Sequence, residues 1–266
     1  MDQRDFSGKQ LIIVKVGSST LSFSNGRLNL QRLERLVKVT VSLKKQGKQI
    51  VLVSSGAVAV GGGLLGMKHK PDKLEEKQAL AAVGQAELMK IYQKFFEPGD
   101  QIIAQVLLTK DGLQEAVKRK NAANTLTKLL NMDIIPVINE NDTVSTYGIE
   151  FGNNDILAAR VAELLHAGLL IILSDIDGFF TADPKSNRDA ALIHTVHCIT
   201  DDIRRNASGS GNSFGTGGMA EKLEAANICL KNNIDVVIAN GERPDVVLDI
   251  LKGKPVGTLF SVKTTD

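Results

Sequence analysis

The sequence predicts an α/β protein, a three-layer α/β/α sandwich around a mainly parallel sheet. Apolar runs rich in β-branched residues recur along the chain at 11–16, 49–54, 101–108, 134–139, 169–174 and 235–240. Most of them are separated by segments whose apolar residues are three or four positions apart, which is the spacing of one face of a helix. Strands that are apolar throughout and alternate with helices are typical of a parallel sheet covered on both faces.

Length and composition favour one globular domain. The 266 residues are enough for one large domain, or for two lobes built on one sheet. A net charge of +2 gives no electrostatic reason to expect nucleic acid. Cys198 and Cys229 provide neither a disulfide framework nor a metal-binding spacing. We therefore expect a protein of the reducing cytoplasm.

Two segments bear on membrane association. The amino-terminal segment lacks the apolar core of a signal peptide, because Lys15 interrupts its hydrophobic run. Residues 49–67 carry no charge and approach the length that spans a bilayer. Their glycines, serines and strand pattern indicate a buried strand and turn instead. We therefore expect no contact with a membrane.

Polar segments follow four of the predicted strands, where ligands of parallel sheets usually bind. These segments are GSST after the first strand, SSGA after the second, NENDTV after the fourth and SDIDGFFTADP after the fifth. The stretch GTGGMAEK opens a predicted helix before the sixth strand. The sequence therefore predicts the ligand site at the carboxyl edge of the sheet.

The glycine-rich stretch GTGGMAEK, residues 215–222, has the character of a phosphate site or of a plain helix cap. Unpaired N–H groups and the helix dipole converge at such a helix start. No Gly-Lys pair is followed by Ser or Thr, so the P-loop motif is absent. Residues 61–66 and 215–220 match a dinucleotide fingerprint in letters but lack its strand-turn-helix context. We interpret 61–66 as a close-packed turn.

Two lysines suit phosphoryl transfer, which needs cations around the transferring group. Lys15 lies in the apolar first strand, where an ammonium group is rarely buried without a partner. The alternative is an edge residue that reaches solvent. Lys222 follows the glycines in the predicted first turn of a helix, where it opposes the helix dipole. It gains a role if an anion binds there.

Polar residues in loops supply the second half of a candidate site. Asp142, Asn154 and Asp155 lie where the chain leaves a strand or opens a helix. Asn154 can cap the helix or bind a ligand, and Asp155 can favour the helix dipole or orient the lysines. His194 and His197 point to opposite faces at strand spacing and have no carboxylate cluster nearby. We therefore expect no metal-binding side chains there.

Seven segments, taken together and in order, resemble the amino-acid kinase family. They are VKVGSSTL, VSSGAVAVG, AAVGQAELM, IIPVINENDTV, FGNNDILAA, LSDIDGFFTADP and GTGGMAEKLEAA. The resemblance extends from about Ile12 to VGTLF near the end of the chain. INEND together with GTGGM is similar to members that transfer the ATP γ-phosphoryl group to the side-chain carboxylate of L-glutamate, the first step of proline biosynthesis. Kinases of acetylglutamate, aspartate, carbamate or nucleotides, and a non-catalytic amino-acid sensor, remain alternatives.

The resemblance implies three catalytic residues, Lys15, Asp155 and Lys222. The two lysines would neutralise charge on the transferring group, Asp155 would hold them in place, and the Gly17 N–H would add a donor. The attacking carboxylate is already ionised at neutral pH, so no general base is needed.

The resemblance also implies binding positions for both substrates. Ser55, Asp142 and Asn154 would bind glutamate. Asp142 would pair with the ammonium group of the substrate, while the Ser55 hydroxyl and the Asn154 amide would donate to its carboxylates. The implied ATP-binding residues are Lys15, Ser174, Asp175, Thr216, Gly217, Gly218, Met219, Ala220, Glu221 and Lys222. Mg2+ would arrive with ATP, held mainly by phosphates and water. Residues 1–165 would form the glutamate lobe and residues 166–266 the ATP lobe.

Regulation and assembly follow from the resemblance as further expectations. Proline is the expected feedback inhibitor, acting near Asp142, and the chain is expected to form a homo-oligomer, a dimer or a tetramer. Four positions depart from the common pattern. Ser174 replaces threonine, Phe180 replaces tyrosine, and MAEK replaces MSTK at positions 220 and 221, which places Glu221 beside the phosphates. Many members carry a PUA domain at the carboxyl end, and we expect none in this chain.

Overall fold

The computed structural model of the protein describes residues 4–23, 27–67, 69, 71–145, 154–184, 186–208 and 218–262. These residues form one sheet between two layers of helices. The strands are β1 Leu11–Val16, β2 Gln49–Ser54, β3 Ile103–Leu108, β4 Ile135–Glu140, β5 Leu169–Ser174, β6 Thr195–Val196, β7 Asp235–Asn240 and β8 Thr258–Phe260. The helices are α1 Ser18–Leu21, α2 Leu30–Lys45, α3 Ala57–Leu64, α4 Leu74–Phe96, α5 Lys110–Gln114, α6 Ala116–Asn131, α7 Asp155–Leu164, α8 Asp201–Ser208, α9 Gly218–Leu230 and α10 Val246–Leu251, with a 3-10 turn at Glu97–Gly99.

The order of the strands brings the candidate site together at the centre of the sheet. The order is β3-β4-β2-β1-β5-β7-β8-β6, and the pairs from β3 through β7 are all parallel. Only β7 and β8 pair antiparallel among the described strands. The carboxyl ends of β4, β2, β1 and β5 are therefore neighbours, as expected from the sequence, and the mainly parallel sheet is confirmed.

Each face of the sheet has its own hydrophobic core. On β1, Ile13 packs with the layer that contains α6, α7 and α9, whereas Ile12 and Val14 pack with α2, α4 and α10. Successive side chains of a strand alternate between the two faces, so Lys15 lies on the same face as Ile13. Lys15 pairs in register with Val53 of β2 and Ile172 of β5. It is therefore a residue of a central strand, and its interpretation as an edge residue that reaches solvent is wrong.

The predicted strands match the observed ones closely. Runs 11–16, 49–54, 169–174 and 235–240 have the observed bounds, while β3 and β4 begin two residues and one residue later than predicted. Sequence analysis missed β6 and β8, which have two and three residues. Runs that short are too brief for an alternating pattern to be recognised.

One segment differs in kind from its prediction. Residues 49–67 contain β2 and then helix α3, not a strand and a turn. A β-carbon at Gly61 would lie 2.0 Å from the Leu80 carbonyl oxygen, and one at Gly84 would lie 1.8 Å from that of Ala57. Close packing around Gly61 is thus confirmed, but it joins α3 to α4 backbone to backbone. Packing between helices here outweighs the low helix propensity of glycine.

Arg4 connects the start of the described chain to segments near its end through hydrogen bonds. The buried guanidinium group donates hydrogen bonds to the carbonyl oxygens of Val256, His194 and Gly257, at 2.6, 2.7 and 3.1 Å. We expect Arg4→Ala to lower the free energy of unfolding by about 2–4 kcal/mol, because three carbonyl groups lose a charged donor. Urea unfolding measures the change, and the exposed Arg188→Ala is the control. A loss equal to that of the control would contradict the contribution assigned to these bonds.

The described ranges contain neither a helix that could span a membrane nor a cluster of side chains that could hold a metal ion. No helix there is both long and apolar enough to cross a bilayer. No group of three or more His, Cys, Asp or Glu side chains is placed there to hold a metal ion.

Candidate active site

Asp155 lies between the two lysines that the sequence singled out. Its Oδ1 atom is 2.7 Å from Lys15 Nζ, and its Oδ2 atom is 3.0 Å from Lys222 Nζ. Lys15 comes from β1, Asp155 begins α7, and Lys222 lies one turn into α9. Lys222 Nζ also donates to the carbonyl oxygen of Gly218 at 3.2 Å. The three predicted catalytic residues therefore form one cluster.

Burial and charge determine the state of this cluster. The side chains of Lys15, Asp155 and Lys222 are 5%, 0% and 10% exposed. Burial lowers the pKa of Lys15, and Asp155 opposes that shift. Burial by itself raises the pKa of Asp155, but the two lysines overcome it and hold that pKa below its usual range. Two ammonium groups share the Asp155 carboxylate, and the charge of Glu221 also acts on Lys15. The paired ammonium groups suit a phosphoryl group.

Gly17 is close to Lys15 but cannot take its expected role in this arrangement. A β-carbon at Gly17 would lie 3.5 Å from Lys15 Nζ, so the glycine leaves space beside the ammonium group. The Gly17 N–H donates to the carbonyl oxygen of Leu173 at 3.3 Å. The expectation that this N–H reaches the transferring group is therefore wrong here, because β5 already accepts its hydrogen bond.

Asn154 connects the ends of β2 and β4. Its Nδ2 atom lies 2.7 Å from the Ser54 carbonyl oxygen, 3.0 Å from Ser55 Oγ and 2.7 Å from Asn139 Oδ1. Asn154 precedes α7, yet its side chain makes no capping hydrogen bond. The helix-cap interpretation of Asn154 is therefore wrong, and its amide belongs to the carboxyl edge of the sheet.

Sequence analysis missed Asn139 and Gln85. Asn139 Nδ2 donates to Gln85 Oε1 at 2.8 Å, and Asn139 Oδ1 accepts the N–H of Glu140 at 2.9 Å. Gln85 lies on the buried face of α4 together with Leu88 and Tyr92. The sequence did contain a signal for Gln85, because it is a polar residue at helical spacing from apolar residues that are buried. Asn139 is the first residue of the NEND segment, of which only Asp142 was assigned a role.

Asp142 and Glu140 form an acidic end to β4. Burial, reinforced by the charge of Glu140, raises the pKa of Asp142 to about 6. Burial also raises the pKa of Glu140, while hydrogen bonds from Ser145 and the Lys110 N–H oppose the shift. An ammonium group that binds beside Asp142 would favour its ionised form.

Ser174, Asp175 and residues 218–222 of the predicted ATP site lie on the opposite side of β1 from Ser55. Ser174 ends β5 and is buried, and its hydroxyl donates to Asp175 Oδ1 at 3.2 Å. Gly218, Met219, Ala220 and Glu221 form the start of α9, next to Lys222. Thr216 and Gly217 lie outside the described residues. Ser55, directly after β2, and Ser174, at the end of β5, thus flank the lysine of the central strand.

Comparison with known proteins gives a family and several relatives. Residues 10–240 match the model of the amino acid kinase family. The chain is 48% identical over 256 residues to the glutamate 5-kinase of Clostridium perfringens, covering 95% of both chains. It is 46% identical to that of Listeria innocua, covering 95% of this chain and 93% of the relative. The glutamate 5-kinase of Enterococcus faecalis is 46% identical over 253 residues, with coverages of 94% and 93%.

Solved structures show the same fold at lower identity. UMP kinase from Bacillus anthracis superposes with a TM-score of 0.63 at 18% identity, covering 96% of this chain and 97% of that one. Isopentenyl phosphate kinase from T. acidophilum, in a product complex, superposes with a TM-score of 0.64 at 18% identity, with coverages of 94% and 99%. The chain belongs to the amino acid kinase family.

Proposed function

We propose that the protein transfers the γ-phosphoryl group of ATP to the side-chain carboxylate of L-glutamate, giving L-glutamyl 5-phosphate for proline biosynthesis. The observation that carries this proposal is the cluster of Lys15, Asp155 and Lys222. Asn154, the residue before Asp155, reaches the acceptor side at Ser55. Two consecutive residues therefore link the phosphoryl side of the site to the acceptor side. The 48% identity to a glutamate 5-kinase over 95% of both chains supports glutamate as the acceptor.

The reaction needs positioning and charge neutralisation. A carboxylate oxygen of glutamate attacks the γ-phosphorus, the bond from that phosphorus to the bridging oxygen breaks, and ADP leaves with the electron pair. Lys15 and Lys222 neutralise the transferring group, and Asp155 fixes both ammonium groups. The glutamate side chain, with an ordinary pKa of about 4.3, is ionised at neutral pH, so no side chain has to remove a proton.

Both substrates have proposed positions. Ser55, Asp142 and Asn154 bind glutamate, and Lys15, Ser174, Asp175 and residues 216–222 bind ATP. The paired ammonium groups fit a polyphosphate. Mg2+ is proposed to arrive with ATP, held mainly by phosphate oxygens and water, and to supply further charge neutralisation when bound. Residues 1–165 form the proposed glutamate lobe and residues 166–266 the proposed ATP lobe.

We also propose that the protein acts in the cytoplasm and that proline inhibits it. Proline carries an ammonium group and a carboxylate, so it can compete with glutamate for Asp142. Titration of proline, with ADP release as the readout, tests this inhibition, and an unchanged rate at high proline would contradict it.

A homo-oligomer, either a dimer or a tetramer, is proposed. Light scattering of the purified protein measures its oligomeric state. A monomer at assay concentrations would contradict that assembly.

A panel of acceptors read by ADP release tests the proposed substrate. The panel contains L-glutamate, N-acetylglutamate, aspartate, carbamate and UMP, each with ATP and Mg2+. We expect release with glutamate and background rates with the others. Preference for another acceptor would replace glutamate in the proposal. Glutamate binding without any turnover would indicate an amino-acid sensor on the same fold.

Acid pH is expected to weaken glutamate binding through Asp142. Its pKa of about 6 means that the carboxylate, the form that pairs with the substrate ammonium, is lost as the pH falls below 6. The KM for glutamate should therefore be roughly tenfold higher at pH 5 than at pH 7. Initial rates between pH 5 and 8 measure it. Asp142→Asn should have a raised KM that no longer depends on pH in this window, and a wild-type slope retained in that variant would contradict the assignment.

A further inference from the structure

A row of buried side-chain amides joins helix α4 to the acceptor side of the site. Gln85 Oε1 accepts from Asn139 Nδ2 at 2.8 Å, and Asn139 Oδ1 accepts from Asn154 Nδ2 at 2.7 Å. Asn154 Nδ2 continues to Ser55 Oγ at 3.0 Å. We call Gln85, Asn139 and Asn154 the amide row. Its members come from three elements that are distant in the sequence, and each is less than one tenth exposed.

Two backbone groups determine which way the amides point. The Glu140 N–H, which can only donate, lies 2.9 Å from Asn139 Oδ1. The Ser54 carbonyl oxygen, which can only accept, lies 2.7 Å from Asn154 Nδ2. Rotation of either asparagine amide by half a turn would set a donor against a donor or an acceptor against an acceptor. With Asn139 held this way, its Nδ2 faces α4, and Gln85 has to present an oxygen.

The direction of the row decides what Asn154 offers to a ligand. Its two N–H hydrogens face three protein oxygens, so they are engaged within the protein. Its Oδ1 atom accepts no hydrogen bond from the described residues. The expected donation from this amide to a substrate carboxylate is therefore not favoured, and the remaining acceptor suits the substrate ammonium. Ser55 accepts from Asn154 and keeps its own hydrogen for a carboxylate.

Helix α4 is well placed to hold the far end of the row. Gly84 lets α4 approach the Ala57 carbonyl oxygen of α3, which no larger residue allows. Gln85 is the next residue. Tyr92, two turns further along the same face, has its hydroxyl 2.9 Å from Ser54 Oγ. One helix thus holds two of the residues that accept from Asn154 Nδ2, namely Asn139 and Ser54.

We infer that Gln85 is a positioning residue for glutamate binding. It touches no reacting atom; it holds the Asn139 amide, and through Asn139 it directs Asn154 Oδ1 towards the substrate ammonium. Without the Gln85 oxygen, the Asn139 Nδ2 group is buried with one partner fewer, and the row loses its anchor in α4. This inference rests on the proposed function, because it assigns glutamate to the acceptor side of the site.

Three substitutions at one position test the inference. Gln85→Met keeps the length of the side chain and removes the acceptor, Gln85→Asn stays polar but withdraws the oxygen, and Gln85→Glu keeps an oxygen in place. Gln93→Met is the matched control, because Gln93 lies on the same helix and is exposed. In Gln85→Met and Gln85→Asn the KM for glutamate should rise roughly 3- to 10-fold, the value of one lost neutral hydrogen bond. The KM for ATP should stay within twofold.

The KM of Gln85→Glu and the thermal midpoints of the variants distinguish a positioning role of Gln85 from a general contribution to the stability of the fold. Gln85→Glu should have a KM for glutamate closer to the wild-type value than Gln85→Met has. The thermal midpoints of these two variants should differ little from each other. The inference is overturned by a KM for glutamate equal to that of Gln93→Met, by equal rises in the KM for both substrates, or by no advantage of Gln85→Glu. Wild-type protein without glutamate-dependent turnover would instead refute the proposed function. Glutamate-dependent shifts of the thermal midpoint give the same comparison without turnover.

Discussion

Lys222→Ala is expected to lower kcat by a factor of about 10²–10³, the usual cost of removing one charge-stabilising donor from a transition state. Lys222 is one of two ammonium groups on Asp155, and its removal leaves Lys15 and Asp155 as a paired couple. One of the two ammonium groups is then missing at the point where negative charge develops. The stability of the fold should change little, since no buried charge is left alone.

Glutamate binding distinguishes a catalytic loss from damage to the whole site. Glutamate should raise the thermal midpoint of Lys222→Ala by nearly as much as it raises that of the wild type. Lys231→Ala, an exposed lysine just after α9, is the matched control and should have wild-type turnover. Equal turnover in Lys222→Ala and the wild type would refute the role assigned to Lys222.

Gly84→Ala is expected to lower the free energy of unfolding by about 3–5 kcal/mol, at the upper end of single-substitution effects. Its β-carbon would lie 1.8 Å from the Ala57 carbonyl oxygen and 2.4 Å from the Gly61 nitrogen. Both contacts are with backbone, which cannot move aside by changing a rotamer. Helices α3 and α4 would have to separate, and Gln85 would move with α4. Chemical denaturation measures the loss.

Gly62→Ala provides a control within the opposing helix. A β-carbon at Gly62 meets nothing within 4 Å, and alanine favours helix over glycine by roughly 0.5–1 kcal/mol. This variant should be as stable as the wild type or more so. If Gly84→Ala were also neutral, the close packing of α3 on α4 would not constrain the site.

The sheet was predictable because its signals are local. Each central strand is a continuous apolar run, and the rule that ligands bind at the carboxyl ends of parallel strands located the site before any contact was known. Lys15 stood out because an ammonium group in such a run needs a partner. For its partner Asp155 the residues left two interpretations open, and the family resemblance chose between them, since the distance from Lys15 depends on how α7 packs on the sheet.

The direction of hydrogen bonds could not be predicted from the sequence. Gly17 was expected to donate to the phosphoryl group, but the register of β1 against β5 gives its N–H to Leu173. Asn154 was expected to donate to a carboxylate, but its N–H groups are engaged by neighbouring chain segments. Gln85 escaped notice because one polar residue on an apolar helix face has no meaning until Asn139 lies beside it. Each outcome depends on tertiary contacts.

Helix α3 shows a second reason why structure could not be predicted fully from the sequence. Its three consecutive glycines favour a turn by propensity, and the segment was interpreted in that way. The helix forms because Gly61 and Gly84 permit a close approach that buries apolar side chains between the helices and the sheet. Propensity is a weak guide wherever packing can outweigh it. Thr216 and Gly217 stay predictions, since they lie outside the described residues.

Trapping of the reaction product by hydroxylamine tests the central claim most directly. An acyl phosphate on the glutamate side chain reacts with hydroxylamine to give a γ-glutamyl hydroxamate, which mass spectrometry identifies. The wild type should form it only when ATP and L-glutamate are both present, and Lys222→Ala should form almost none. Folded wild-type protein that releases ADP without this hydroxamate, or that forms none at all, would contradict phosphoryl transfer to the glutamate carboxylate.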